Sequence, residues 1–130
     1  MGGLTPWWQD KTKNTGAKRM KIKEGASLNG LQTVMRIALV EADVIWRELG
    51  QELTVTSGTD GEHSAGSLHY YGYALDFRTR YFNKQERWDA YASLVEALEF
   101  DGFNIYLHDT HIHVEYDAIK GEMDEWRKLY

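Results

Sequence analysis

One long stripe constrains this chain more than any other feature. Leu31, Met35, Ala38, Ala42, Ile45 and Leu49 recur at three- and four-residue steps. That spacing places apolar side chains along one side of an α-helix. Ser27 is a plausible N-cap for it and Gly50 a plausible C′ stop. A single amphipathic helix cannot bury its own stripe, so other elements must cover it.

Strand signals follow. Glu52–Ser57 alternates and is rich in β-branched residues. Residues 58–67, GTDGEHSAGS, read as turns. Tyr73–Thr79 reads as a second strand, with Tyr73, Leu75 and Phe77 on one face and Ala74, Asp76 and Arg78 on the other. Asn83 and Glu86 form a capping-box pattern, which predicts a helix burying Trp88, Tyr91, Val95 and Leu98 and ending at Asp101–Gly102. Short strands are expected around Asn104–Leu107 and Thr110–Tyr116, and a terminal helix at Met123–Tyr130 docking through Trp126 and Leu129. The expected fold class is therefore α+β, a small, mostly antiparallel sheet flanked by helices. A single domain over residues 1–130 is expected, with 1–26 an irregular N-terminal arm anchored by Trp7 and Trp8.

Composition narrows the function classes. With 42% hydrophobic and 27% charged residues, the chain is globular in type. No apolar run approaches the ~20 residues of a membrane span. The first residues, MGGLTPWWQDKTKN, lack the basic lead and apolar core of a secretory signal, so synthesis in the cytoplasm is expected. The net charge of −5 argues against general nucleic-acid binding. Lysines and Arg19 cluster between Lys11 and Lys23, while acids crowd residues 115–125; solvated faces are the expected reading of both, ahead of a partner-binding patch. There is no cysteine, which leaves imidazole and carboxylate as the only strong metal ligands.

Four of the five histidines fall in two windows, SLHYYGYALD (Ser67–Asp76) and HDTHIHVE (His108–Glu115). On a strand, Ile112 and Val114 would point into the core while His111, His113 and Glu115 share the opposite face. His69 on a loop and Asp76 on a strand could grip one cation from two sides, joined by one histidine of the second window. Two imidazoles, one carboxylate and an open fourth position form a ligand set typical of catalytic zinc. The plainer alternative is an ordinary polar corner, with Asp76 and Arg78 a same-face ion pair.

The string Ser67-x-His69-x-x-Gly72-x-Ala74-x-Asp76, followed by His111-x-His113-Val114-Glu115, resembles the M15 zinc peptidases of peptidoglycan. These comprise D-Ala-D-Ala carboxypeptidases and dipeptidases and the L-alanyl-D-glutamate endopeptidases of phage endolysins. The wider Hedgehog/DD-peptidase fold group shares the two motifs. The resemblance runs from about Thr54 to Glu115.

It implies that His69, Asp76 and His113 hold Zn2+, that Ser67 and Gly72 shape the ligand loop, and that His111 stabilises the oxyanion or relays a proton. For the general base, where the family often has an acid, this chain offers His108 first and Asp109 second. Many relatives carry an arginine after a Thr-Ser-Gly strand end; here the text is Thr56-Ser57-Gly58-Thr59-Asp60-Gly61. Arg78 could supply that charge to a substrate carboxylate, with Ser67 beside it in the substrate-binding set. The implied activity is hydrolysis of an amide bond in the peptidoglycan stem peptide by a monomer acting on the cell wall after release. The alternative is a non-catalytic zinc-containing binding domain of the Hedgehog type.

Overall fold

The computed structural model describes residues 20–61 and 67–118. Trp7, Trp8, His63 and the expected helix at Met123–Tyr130 lie outside these residues. Five strands form one sheet: β1 (Lys21–Ile22), β2 (Thr54–Ser57), β3 (Ala74–Arg78), β4 (Phe103–Leu107) and β5 (His111–Tyr116). Their order across the sheet is β1-β2-β3-β5-β4. The pairings β2–β3, β3–β5 and β4–β5 are antiparallel, while β1 runs parallel to β2, so the sheet is mixed. Two helices, α1 (Met35–Glu48) and α2 (Lys84–Leu98), complete an α+β architecture.

The sheet alternates as the sequence predicts. Leu75 and Phe77 of β3 and Ile112 and Val114 of β5 are fully buried. They share one core with Met35, Ala38, Ala42, Ile45 and Trp46 of α1 and with Ala90, Leu94 and Leu98 of α2. Both helices therefore cover the same face of the sheet. Asp76, Arg78, His111, His113 and Glu115 are left on the other face, only partly buried. Trp46 ties the layers together, its indole N–H donating to the Arg78 carbonyl at 3.0 Å and its ring lying edge-on to Phe77.

Helix ends follow local chemistry. The Asn83 side chain accepts from the Glu86 N–H at 2.8 Å and the Glu86 carboxylate accepts from the Asn83 N–H at 2.9 Å, a complete capping box. At the end of α1, Gly50 donates to the Arg47 carbonyl and Gln51 to the Trp46 carbonyl, the paired bonds of a Schellman stop.

Three expectations are corrected. The first helix starts at Met35, not after Ser27, and Val34 at its N-cap makes no side-chain capping bond. Gly30 has φ +78°, and Leu31 donates to the Leu28 carbonyl, so residues 27–33 turn away from the helical path. Second, α2 buries Ala90, Leu94 and Leu98, whereas Trp88 is 55% exposed and Val95 is only partly buried. The three- and four-residue steps of that segment fit two neighbouring stripes, and the one with the small Ala90 is the one that packs. Third, the arm is not irregular throughout, because Lys21–Ile22 adds an edge strand, with the Lys21 N–H donating to the Leu53 carbonyl at 2.8 Å. Among the described residues no helix is long and apolar enough to cross a membrane.

Candidate metal centre

The open face of the sheet brings the two histidine windows together. Register pairs Asp76 with His113 and Arg78 with His111 across β3 and β5. His69 arrives from a separate element, a short 3-10 turn at Leu68–Tyr71. His69, Asp76 and His113 each offer one ligand atom, and these atoms all lie within 4.8 Å of one another. The separations are 2.8 Å from His113 Nδ1 to Asp76 Oδ1, 3.4 Å from His69 Nε2 to Asp76 Oδ1, and 3.2 Å from His69 Nε2 to His113 Nδ1.

Those distances suit a metal. Nitrogen and oxygen ligands about 2.0–2.1 Å from a tetrahedral zinc stand about 3.3 Å apart. Two of the three separations match, and the shortest is a hydrogen-bond length. The donor types agree too, with two imidazoles and one carboxylate.

Each imidazole is oriented by its other nitrogen. His69 Nδ1 lies 2.7 Å from the Gly58 carbonyl, which can only accept, so Nδ1 carries a proton and Nε2 is the nitrogen turned to the cluster. His113 Nε2 lies 2.9 Å from Glu115 Oε1, leaving Nδ1 to face Asp76. Such outer partners fix ring orientation in metal sites. Spacing along β5 was the available signal for Glu115, two residues from His113 on the same face. The Gly58 partner had no signal, since a carbonyl belongs to every residue.

The loops that carry His69 and Gly58 are braced by close backbone approaches. Ser67 Oγ accepts from the His69 N–H at 3.2 Å, capping the 3-10 turn. Gly72 closes the turn with φ +77°, and a Cβ there would sit 2.2 Å from the Gly30 carbonyl oxygen. The Gln32 N–H donates to the Gly72 carbonyl at 3.0 Å. On the other side, β2 carries a register irregularity between Val55 and Ser57 just before Gly58. A Cβ on Gly58 would meet the Ser27 carbonyl oxygen at 2.3 Å. The Asp60 carboxylate accepts from the N–H groups of Ser27 and Gly58, both at 2.8 Å. Ser27, expected as a helix cap, instead serves as a strut beneath the loop that carries Gly58.

Electrostatics follow from these contacts. Burial opposes ionisation of Asp76, but hydrogen bonds and charge from His113 and His69 outweigh it and hold the carboxyl well below the usual carboxylate range. Burial likewise pulls His113 down, yet its hydrogen bonds to Asp76 and Glu115 win and raise it above 6.5. For His111, burial prevails over the attraction of Asp76, and nearby His108, His113 and His69 add to the lowering.

The remaining candidates spread along the β4–β5 hairpin. His108 and Asp109 are exposed in the turn, and the His108 ring stacks on His111 with centroids 4.6 Å apart. His111 Nδ1 is 3.2 Å from Thr110 Oγ1. Asp109 engages Arg87 through its backbone carbonyl, at 2.6 Å. Among the described residues no ion pair joins Arg78 to Asp76 or Glu115, so the same-face pair is not formed. Tyr106, opposite His113 on β4, adds a half-exposed ring 5.9 Å from it, a neighbour the sequence reading missed. No protein-family model matches the chain, nor does any curated protein sequence.

Proposed function

We propose that this protein is a zinc-dependent peptidase that hydrolyses an amide bond in the peptidoglycan stem peptide, as an L-alanyl-D-glutamate endopeptidase of the phage endolysin type or a D-alanyl-D-alanine carboxypeptidase. The observation that carries the reading is the convergence of His69 Nε2, Asp76 Oδ1 and His113 Nδ1 on one face of the sheet. The M15-like motifs that hold these residues support it, and so does the meeting of a short turn carrying His69 with two antiparallel strands carrying Asp76 and His113.

Bound zinc would supply Lewis acidity, polarising a carbonyl and lowering the pKa of water towards ~7. His111, neutral near pH 7 because burial lowers its pKa, is suited to take up a proton and return it to the leaving amine. His108, stacked on His111, lies where a proton could pass on to solvent. Arg78 is on the same face, cross-strand from His111, and its guanidinium can grip a substrate carboxylate with two parallel hydrogen bonds.

The test is incubation of the zinc-loaded protein with purified peptidoglycan and mass spectrometry of the products. New amino groups on D-Glu support the endopeptidase and free D-Ala the carboxypeptidase. Absence of cleavage by protein that holds zinc overturns the peptidase and leaves the Hedgehog-type binding domain.

A further inference from the structure

We infer that Glu115 is a positioning residue for the metal centre, setting its affinity by holding the His113 ring with Nδ1 aimed at the position shared by Asp76 and His69. The inference rests on the metal-binding part of the proposed function and not on the hydrolysis.

An imidazole at the end of a single Cβ–Cγ bond can turn about χ2 and exchange the nitrogen it presents. His113 is held against that rotation from both sides, with Nδ1 2.8 Å from Asp76 and Nε2 2.9 Å from Glu115. When a cation occupies the centre, Nδ1 must give up its proton and become a ligand. The contact to Asp76 then ceases to be a hydrogen bond, and Glu115 is the anchor that remains.

Glu115 is built for that part. Its side chain is 23% exposed, so the bond to His113 is partly shielded from water. Among the described residues its one ion pair is with His113. Its cross-strand neighbours, Ala74 and Asn104, carry no charge to draw the carboxylate elsewhere. A carboxylate accepting from the distal nitrogen also makes the proximal one a stronger donor to a cation. The His69 ring is held in the same manner by the Gly58 carbonyl, so the two imidazoles are anchored by independent elements.

Zinc titration against a competing chelator, run on the full chain and on Glu115→Ala and Glu115→Gln, tests this. Glu115→Ala should weaken zinc binding by about 10–100-fold, the usual cost of an outer partner. Glu115→Gln keeps an oxygen that can accept from Nε2–H and should recover most of that loss. Long-range nitrogen NMR of the zinc-loaded chain should show His113 bound through Nδ1 with Nε2 protonated. Unchanged affinity in Glu115→Ala, equal losses in both variants, or zinc on Nε2 would each overturn the inference. If Glu115→Ala does not fold, Glu115→Gln and the NMR pattern still decide. An unaltered chain that binds no zinc overturns both the inference and the peptidase. Zinc binding with the expected variant order but no cleavage of peptidoglycan upholds the inference and overturns only the peptidase.

Discussion

Asp76 and His113 face each other across β3 and β5, with Oδ1 and Nδ1 2.8 Å apart, in a register set by the pairing of the two strands. Only His69 must be delivered by a loop. Replacing either strand ligand should therefore abolish the centre without disturbing the core. His113→Ala and Asp76→Asn should each lower zinc affinity by more than the roughly 10–100-fold of an outer-partner loss. Elemental analysis after dialysis checks this, and circular dichroism should show both variants folded.

Acidity should act on the empty and filled centres in opposite senses. His113 has its pKa raised above its usual 6.5, so its contribution to folding is complete below 6.5 and lost as pH rises through the raised value. Asp76 is depressed from its usual 3.8, so its contribution is present above 3.8 and lost as pH falls through the lowered value. The zinc-free centre is thus best paired between those limits. Zinc must displace the proton on His113, so its affinity should climb as pH rises past 6.5. Thermal unfolding from pH 5.5 to 8.5, with chelator and with zinc, should show the zinc-induced rise in Tm growing with pH.

Gly72 answers two demands at once, a left-handed backbone and contact with the Gly30 carbonyl. Gly72→Ala should cost at least the ~1–2 kcal/mol of placing an L-residue in that region, with the clash in addition. Urea unfolding should show a lower midpoint at unchanged slope, and zinc affinity should fall because His69 is displaced.

If the protein is the proposed peptidase, three hairpin residues are candidates for proton transfer, and their contacts rank them. His111→Ala should reduce kcat by about 10²–10⁴-fold with zinc affinity intact. The loss in His108→Ala should be smaller, since that ring acts through its stacking on His111. Asp109→Asn should be nearly silent, because the contact to Arg87 is made by the backbone carbonyl. Zinc-loaded variants assayed on peptidoglycan give the order, and a silent His111→Ala returns the role to His108.

Strand alternation was the most legible part of the sequence. The apolar positions of β3 and β5 and the shared face of Asp76, His111 and His113 follow from a two-residue period alone. The capping box at Asn83 and the stop at Gly50 were legible because their bonds are local. Helix starts were harder. The stripe of α1 continues back to Leu31, but Gly30 and the bond from Gln32 to the Gly72 carbonyl divert residues 27–33 to brace the ligand turn. That demand comes from a contact some forty positions away, which periodicity does not register. Burial of Ala90 over Trp88 likewise depends on what faces α2. In the site, residue types were readable and orientation was not, because the partner that aims His69 is the carbonyl of Gly58.

On β5, Ile112 and Val114 belong to the core while His111, His113 and Glu115 belong to the open face. A single inserted or deleted residue would exchange the two sets, burying imidazoles and exposing aliphatics together. The strand should therefore be intolerant of length change yet permissive to replacement on its outward side. New chemistry could be written there one letter at a time while the hidden half of the same strand keeps the domain folded.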